Sequence, residues 1–317
     1  MTDTQNEVFK TPVNKIRLFE HGAPGSQNLK LTRKYYTEDM PDGRVKHIVQ
    51  NITDPDIVPY IPDGIGNSTD RQRIPAVLII PGGAFRRLVY NFEGEDVAKW
   101  LNSMGIAAFV LECRLPSDEH DNAEDVPLID AMRAMRVIRG RAQKFGIDEA
   151  KIGVMGFSAG GFMAALLSTA YESDVYADYK YKDEYDKLSA RPDFAVCSYP
   201  VISIDDCIEA GKRYMSEEQV LERISDGKAK ILHKYNPDKL VRPDMPPVFI
   251  CETDDDRTTL SENSVGFYMA ARKAGVSAEL HIFRTGGHGY GCGDDFAQTG
   301  EWKVLFTKWI KSIGIIS

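Results

Sequence analysis

The chain has 317 residues, 43% of them hydrophobic, and a formal net charge of −8 with both signs interspersed. That length and apolar content suffice for a large buried core. The acidic, mixed charge argues against a nucleic-acid partner, which calls for clustered basic residues. No apolar run approaches the roughly 20 residues of a membrane span, so no membrane partner is expected.

The start, Met1 to Glu7, lacks the basic and apolar stretches of a signal peptide. Cys113, Cys197, Cys207, Cys251 and Cys292 are odd in number, widely spaced and free of any C-x-x-C pair. Buried reduced thiols are therefore expected rather than a disulfide framework or a zinc site. These features favour the cytoplasm, although a secreted protein trimmed of its leader would share them.

In chain order, short apolar β-branched runs alternate with helical patterns. The spacing predicts strands over Ala76–Ile80, Ala107–Cys113, Lys151–Met155, Phe194–Tyr199, Pro247–Cys251 and Ala278–Phe283. Between them, Asp96–Met104 reads as a helix, with Val97, Trp100, Leu101 and Met104 on one face. Leu128–Phe145 keeps Leu128, Ala131, Met132, Met135, Ile138 and Ala142 at helical spacing. Gly161–Leu167, Ser264–Ala274 and Trp302–Ile313 complete the helices. Alternation of this kind predicts an α/β fold, a mostly parallel central sheet with helices on both faces.

No repeat or Pro/Gly/Ser linker splits the chain, so residues 1–317 read as one domain. Two stretches fit the sheet poorly. Tyr171–Ala190 is rich in Tyr, Asp and Lys; residues 202–244 hold polar helices such as Glu217–Ile224. Both are expected as surface or cap excursions among the binding loops, with tyrosines either stacked on a sugar ring or merely solvated.

The most specific local signal is Gly156-Phe157-Ser158-Ala159-Gly160-Gly161, directly after the apolar run Ile152–Met155. A serine between glycines at a strand-to-helix turn exposes a nucleophile, because the turn is tight enough to exclude side chains on either side. A serine hydroxyl needs a base, and the base a carboxylate to orient it. Among six histidines, His288 lies in Gly286-Gly287-His288-Gly289-Tyr290-Gly291 just after the last strand, where glycines let the loop approach the elbow. His281 alternates with apolar neighbours and reads as structural. The acid lies within Glu252-Thr253-Asp254-Asp255-Asp256. Mutual repulsion implies that one carboxylate turns inward and the others face water, but spacing does not choose among them. For oxyanion donors the candidates are the turn Pro81-Gly82-Gly83-Ala84-Phe85 and the Ala159 N–H. That turn lacks the lysine and the spacing of a phosphate-binding loop. Phe85 and Phe157 flank the reacting centre and are expected to touch substrate.

These motifs together resemble the α/β-hydrolase carboxylesterases related to acetyl xylan esterases and feruloyl esterase-like, dienelactone-hydrolase-related enzymes. The resemblance runs from about Val77 to the C-terminus. It includes Pro81–Phe85, Glu93-Gly94-Glu95, Arg114-Leu115, Asp130-Ala131 with Arg133-Ala134, Gly146-Ile147-Asp148, Gly156–Gly161, Tyr199–Ile202, Glu262-Asn263-Ser264 and Gly287-His288-Gly289. It implies the α/β-hydrolase fold, Ser158 as nucleophile, His288 as base and, by its spacing to Glu262-Asn263-Ser264, Asp256 as the acid. It also implies Gly83, Ala84 and Ala159 as oxyanion donors. The chain departs from the family pattern with Ala84 for a third glycine, Cys113 for a tyrosine and Glu252 for a histidine.

The expected function is that of a serine esterase removing short acyl groups, acetyl foremost, from a hydroxylated substrate such as an acetylated sugar. No cofactor and no metal are called for. The expected partner is a small-molecule ester, acylated carbohydrates included, with oligomerisation open. The rivals are a peptidase of the prolyl oligopeptidase type, for whose propeller or cap the chain has no room, and a silent hydrolase fold that only binds.

Overall fold

The apolar runs in the middle of the chain become parallel strands because helices cover both of their faces, leaving no polar side to alternate with. The computed structural model describes residue 9 and residues 13–65, 73–213, 216, 218–219, 228–293 and 298–317. Its main sheet has eight strands in the order β1-β4-β7-β5-β8-β9-β10-β11. These are β1 (Ile16–Arg17), β4 (Asp56–Tyr60), β5 (Ile74–Ile80), β7 (Ala107–Glu112), β8 (Ile147–Phe157), β9 (Ala195–Ser198), β10 (Val248–Thr253) and β11 (Ala278–Phe283). All pairings are parallel except those of β1 with β4 and of β4 with β7. This is the arrangement expected of the α/β-hydrolases.

From β5 the chain crosses to β7 on one side and then returns to β8 on the other. The crevice beyond the carboxyl ends of β5 and β8 is therefore the topological switch point, where open α/β sheets bind ligands. Helices α1 (Asp96–Ser103) and α8 (Glu301–Ser312) share one face, with the Trp100 and Trp302 rings 4.9 Å apart. Helices α2 (Val126–Gly140) and α4 (Ala159–Ala170) pack together on the other face. A fully buried pair fastens α2 to the end of β7. The Arg114 guanidinium donates to Asp130 at 2.6 to 3.1 Å, and the Arg114 N–H donates to the same carboxylate at 2.8 Å.

Several expectations need correction. Four strands precede Ala76, where none was read: β2 (Lys34–Asp39) is half-buried and polar apart from its two tyrosines, and β3 (Val45–Gln50) fully buries only the adjacent pair Ile48 and Val49, so neither shows an alternating apolar pattern. They form an antiparallel hairpin that the short β6 (Leu88–Val89) extends, pairing Ile48 with Val89. The helix read as Leu128–Phe145 breaks at Arg141, and a short α3 (Ala142–Phe145) follows. Gly140 sits at the break, where a Cβ would lie 2.4 Å from the Tyr185 ring.

Tyr171–Ala190 does not flank the switch point. It follows α4, whose 12 residues carry the chain back about 18 Å from the carboxyl end of β8. It then packs along the C-terminal half of α2, with Arg136 donating to the Leu188 carbonyl at 3.0 Å. Residues 202–244 do leave from the carboxyl end of β9, through α5 (Ile204–Lys212) and α6 (Lys228–Lys234). The helix expected over Glu217–Ile224 lies outside the described residues apart from 218 and 219.

Cys113, Cys197 and Cys251 are buried free thiols, and Cys292 is buried as well. Among the described residues, no helix is long and apolar enough to cross a membrane.

Candidate active site

Ser158 is placed by backbone geometry. It stands between β8 and α4 with φ 53° and ψ −118°, a conformation L-residues avoid. The flanking glycines permit it: a Cβ on Gly156 would lie 1.9 Å from the Gly160 carbonyl oxygen, and one on Gly160 1.9 Å from that of Ile80. Any side chain there would strike backbone. Gly161 extends the constraint, since its Cβ would meet Pro200 Cα at 2.9 Å. The Ser158 N–H donates to the Ser198 carbonyl at 3.0 Å, tying the elbow to β9.

His288 reaches this serine from the loop after β11, its Nε2 lying 2.8 Å from Ser158 Oγ. On the other side of the ring, Nδ1 is 2.6 Å from Asp256 Oδ2. The loop is held at several points. Thr253 Oγ1 donates to the Gly287 carbonyl at 2.9 Å, and the Gly287 N–H donates to Asp255 Oδ1 at 2.8 Å. Trp302 Nε1 donates to the Gly291 carbonyl at 3.1 Å.

Of the acidic run after β10, Asp254 and Asp255 are exposed and Asp256 is buried. Asp256 Oδ1 accepts the Thr258 and Thr259 N–H groups at 2.7 and 2.9 Å, and Oδ2 accepts the Thr259 hydroxyl at 3.0 Å. Burial alone would push its pKa up, but His288 and the Thr258 and Thr259 N–H donors outweigh burial and leave it below the usual carboxylate range. An ionised carboxylate only accepts, so Nδ1 carries the proton and the Nε2 lone pair faces the serine hydroxyl.

A second carboxylate also turns inward, contrary to the expectation of one. Glu252 is fully buried. Burial and the neighbouring Asp256 charge push its pKa well above the ordinary value, favouring the neutral form, in which the two side chains do not repel.

The strap Pro81–Phe85 lies against the elbow; a Cβ on Gly82 would sit 2.9 Å from Ser158 Cβ. Gly83, Ala84 and Phe85 all have positive φ, of 137°, 57° and 60°. Among the described residues, the N–H groups of Gly83, Ala84 and Ala159 donate to no protein acceptor, and Ala159 opens α4, whose N-terminal end favours negative charge. Ala84 is exposed. Phe85 lines a small apolar hollow of about 10 Å³ with Gly82, Cys113, Ala159, Gly160 and Met163. Phe157 does not reach this site. It is fully buried with its ring against Tyr199 and Trp302, because alternation along β8 turns it to the face that α8 covers.

Sequence reasoning gave no role to Glu93, Tyr199 and Thr259, all buried beside the site. Glu93 belonged to a motif of the resemblance, but no rule of spacing marks a carboxylate that acts through the backbone of another loop. Among the described residues, no cluster of three His, Cys, Asp or Glu is placed to hold a metal ion.

The family model BD-FAE matches residues 65–270. An acetylxylan esterase of Xylanibacter ruminicola is 31% identical over 240 residues, 75% of this chain and 45% of that protein. Endo-1,4-beta-xylanase B of Butyrivibrio fibrisolvens is 31% identical over 71% of this chain and 34% of its own length. The chain thus spans less than half the length of these curated relatives. The crystal structure of an acetyl ester-xyloside bifunctional hydrolase from Caldicellulosiruptor lactoaceticus superposes with a TM-score of 0.67 at 38% identity, covering 84% of this chain and 91% of that one.

Proposed function

The chain belongs to the BD-FAE family, and we propose that it is a serine carboxylesterase removing short acyl groups, acetyl foremost, from hydroxylated substrates such as acetylated xylo-oligosaccharides. The observation that carries this reading is the continuous hydrogen-bonded path from Ser158 Oγ through His288 to Asp256. Ser158 Oγ attacks the ester carbonyl while His288 Nε2 takes its proton, and Asp256 holds the imidazole tautomer and stabilises its cation. The carbonyl oxygen, now charged, is received by the N–H groups of Gly83, Ala84 and Ala159. His288 then protonates the leaving alkoxide, and water, deprotonated by the same imidazole, cleaves the acyl-enzyme.

A short acyl group is favoured over a long one because the hollow beside the elbow, at about 10 Å³, has room for only about one water-sized group. The sugar alcohol is supported by the relatives' names, an acetylxylan esterase and an acetyl ester-xyloside hydrolase. The tyrosines of 171–190 lend it no support, since they lie away from the site. Two assays test the proposal: kcat/KM over nitrophenyl esters of two to twelve carbons, and acetate release from acetylated xylo-oligosaccharides. Ser158→Ala should lose on the order of 10⁴ to 10⁶ in kcat. A variant within tenfold of the parent removes the serine mechanism, and an optimum at eight carbons or longer without sugar deacetylation removes the acetyl reading.

A further inference from the structure

The strap that bears the Gly83 and Ala84 N–H groups and the loop that bears His288 meet at one buried carboxylate. Glu93 lies in a π-helical turn, Asn91–Glu95, between β6 and α1, and is only 5% exposed. Its Oε2 accepts the Gly82 N–H at 2.8 Å. Its Oε1 accepts the Tyr199 hydroxyl at 3.0 Å. Tyr199 is fully buried, and its own Oη accepts the Gly291 N–H at 3.1 Å from the His288 loop. The edge of its ring contacts the imidazole, with centroids 5.1 Å apart.

Other contacts hold the turn itself still. Asn91 donates to the Val45 carbonyl at 2.8 Å and accepts the His47 N–H at 3.0 Å, so the turn is anchored to β3. The far end of the strap runs into β6, which pairs with the same strand. The strap packs closely here, since a Cβ on Gly82 would lie 2.7 Å from Glu93 Oε2 and 2.5 Å from the Phe157 carbonyl oxygen. A buried carboxylate is costly unless its oxygens are satisfied. Here both are, one by the strap directly and the other by Tyr199, whose hydroxyl in turn accepts from the His288 loop.

We infer that Glu93, acting through Tyr199, is a positioning residue that sets the oxyanion strap against the His288 loop. With the Gly82 peptide fixed, the next two N–H groups stay aimed beside Ser158; released, the strap turns and the N–H groups lose their alignment. The inference rests on the esterase reading above.

The test uses the full chain as wild type, Glu93→Gln, Glu93→Ala and Tyr199→Phe. Each is measured for kcat and KM on nitrophenyl acetate, for Ki of phenylboronic acid (which forms a tetrahedral adduct on the serine), and for Tm. Loss of one oxyanion donor costs about 10²–10³ in kcat. Glu93→Ala should therefore lose on the order of 10²-fold in kcat with KM within threefold, and boronate binding should weaken in parallel. Glu93→Gln should recover most of that loss, because its amide oxygen accepts from Gly82 while its NH₂ donates to Tyr199 Oη. If Glu93→Ala yields no folded protein, Tyr199→Phe decides by the same criteria, with a kcat loss of at least tenfold expected.

A folded variant whose Tm falls while kcat and boronate Ki stay within threefold of the parent overturns the inference. So does a Glu93→Gln no better than Glu93→Ala. A wild type inert towards nitrophenyl acetate overturns the esterase reading itself, and this inference with it.

Discussion

Replacing Glu252 by Gln should change how stability depends on pH. Glu252 is the next-to-last residue of β10 and its side chain is fully buried; Oε1 accepts the Thr253 N–H at 2.9 Å, and Oε2 lies 3.2 Å from the Ser264 hydroxyl. Burial, reinforced by the Asp256 charge, raises its pKa well above the ordinary value. In the unfolded chain the group ionises near pH ~4.3. Between that pH and the raised folded value, the native state keeps a proton that the unfolded state has released. Its contribution to stability is thus full below the unfolded pKa and declines as pH rises, by about 1.4 kcal/mol per unit.

Glutamine has the shape of the neutral acid without its titration. Its oxygen accepts from Thr253, and its NH₂ donates to Ser264, whose hydroxyl can rotate to accept. At about 2.1 cal/mol/K per residue, a chain of 317 residues unfolds with an entropy of about 0.7 kcal/mol/K. The expected slope is therefore about 2 °C per pH unit. Tm of both proteins, measured from pH 5.5 to 8 at constant ionic strength, should show the glutamine variant gaining on the parent by that amount per unit for as long as the pH stays below the raised folded pKa. A difference that stays flat across the range would mean that Glu252 is ionised in the native state, and the reasoning would be refuted.

Three further outcomes are expected. Asp256→Asn should lower kcat by about 10⁴, in line with other triads that lose their carboxylate. Asp254→Asn and Asp255→Asn should stay within tenfold, the latter because its amide oxygen still accepts the Gly287 N–H; if Asp255→Asn is the inactive variant, the assignment is off by one residue. Gly160→Ala should be destabilised by about 3 kcal/mol or more, since its Cβ would lie 1.9 Å from the Ile80 carbonyl oxygen; a Tm within 1 °C of the parent would contradict that contact. Ser158→Gly should melt about 1–2 °C above Ser158→Ala. The φ of 53° at this position strains any residue with a Cβ by about 1–3 kcal/mol, partly offset by about 0.4–1 kcal/mol of glycine's unfolded-state entropy; a Ser158→Gly that melts below Ser158→Ala would show that the elbow stores less strain than that offset.

The sequence by itself determined what depends on neighbouring residues. Apolar runs alternating with helical periods specify parallel strands and their covering helices, because burial on both faces leaves a local signature in β5, β7, β8 and β10. Gly156, Gly160 and Gly161 around Ser158 specify a turn that only glycine permits, and the glycines around His288 mark a loop free to approach it. Tertiary structure decided whatever depends on which segments meet. Local spacing could not tell Asp254, Asp255 and Asp256 apart; the fold selects Asp256 because the Thr258 and Thr259 N–H groups and His288 converge on it.

Strands β2 and β3 escape notice because β2 is half-buried and largely polar and β3 buries two adjacent residues, Ile48 and Val49, rather than alternate ones, yet through β6 they hold the strap. Tyr171–Ala190 looks like a binding loop until α4 is seen to carry it to the far end of the sheet. The fate of Phe157 turned on which face of β8 is covered by α8, more than 140 residues away in the chain. Glu93 acquires its partners only when Gly82 and Tyr199 are brought to it, and a buried carboxylate satisfied by distant donors leaves no trace in its own neighbours along the chain.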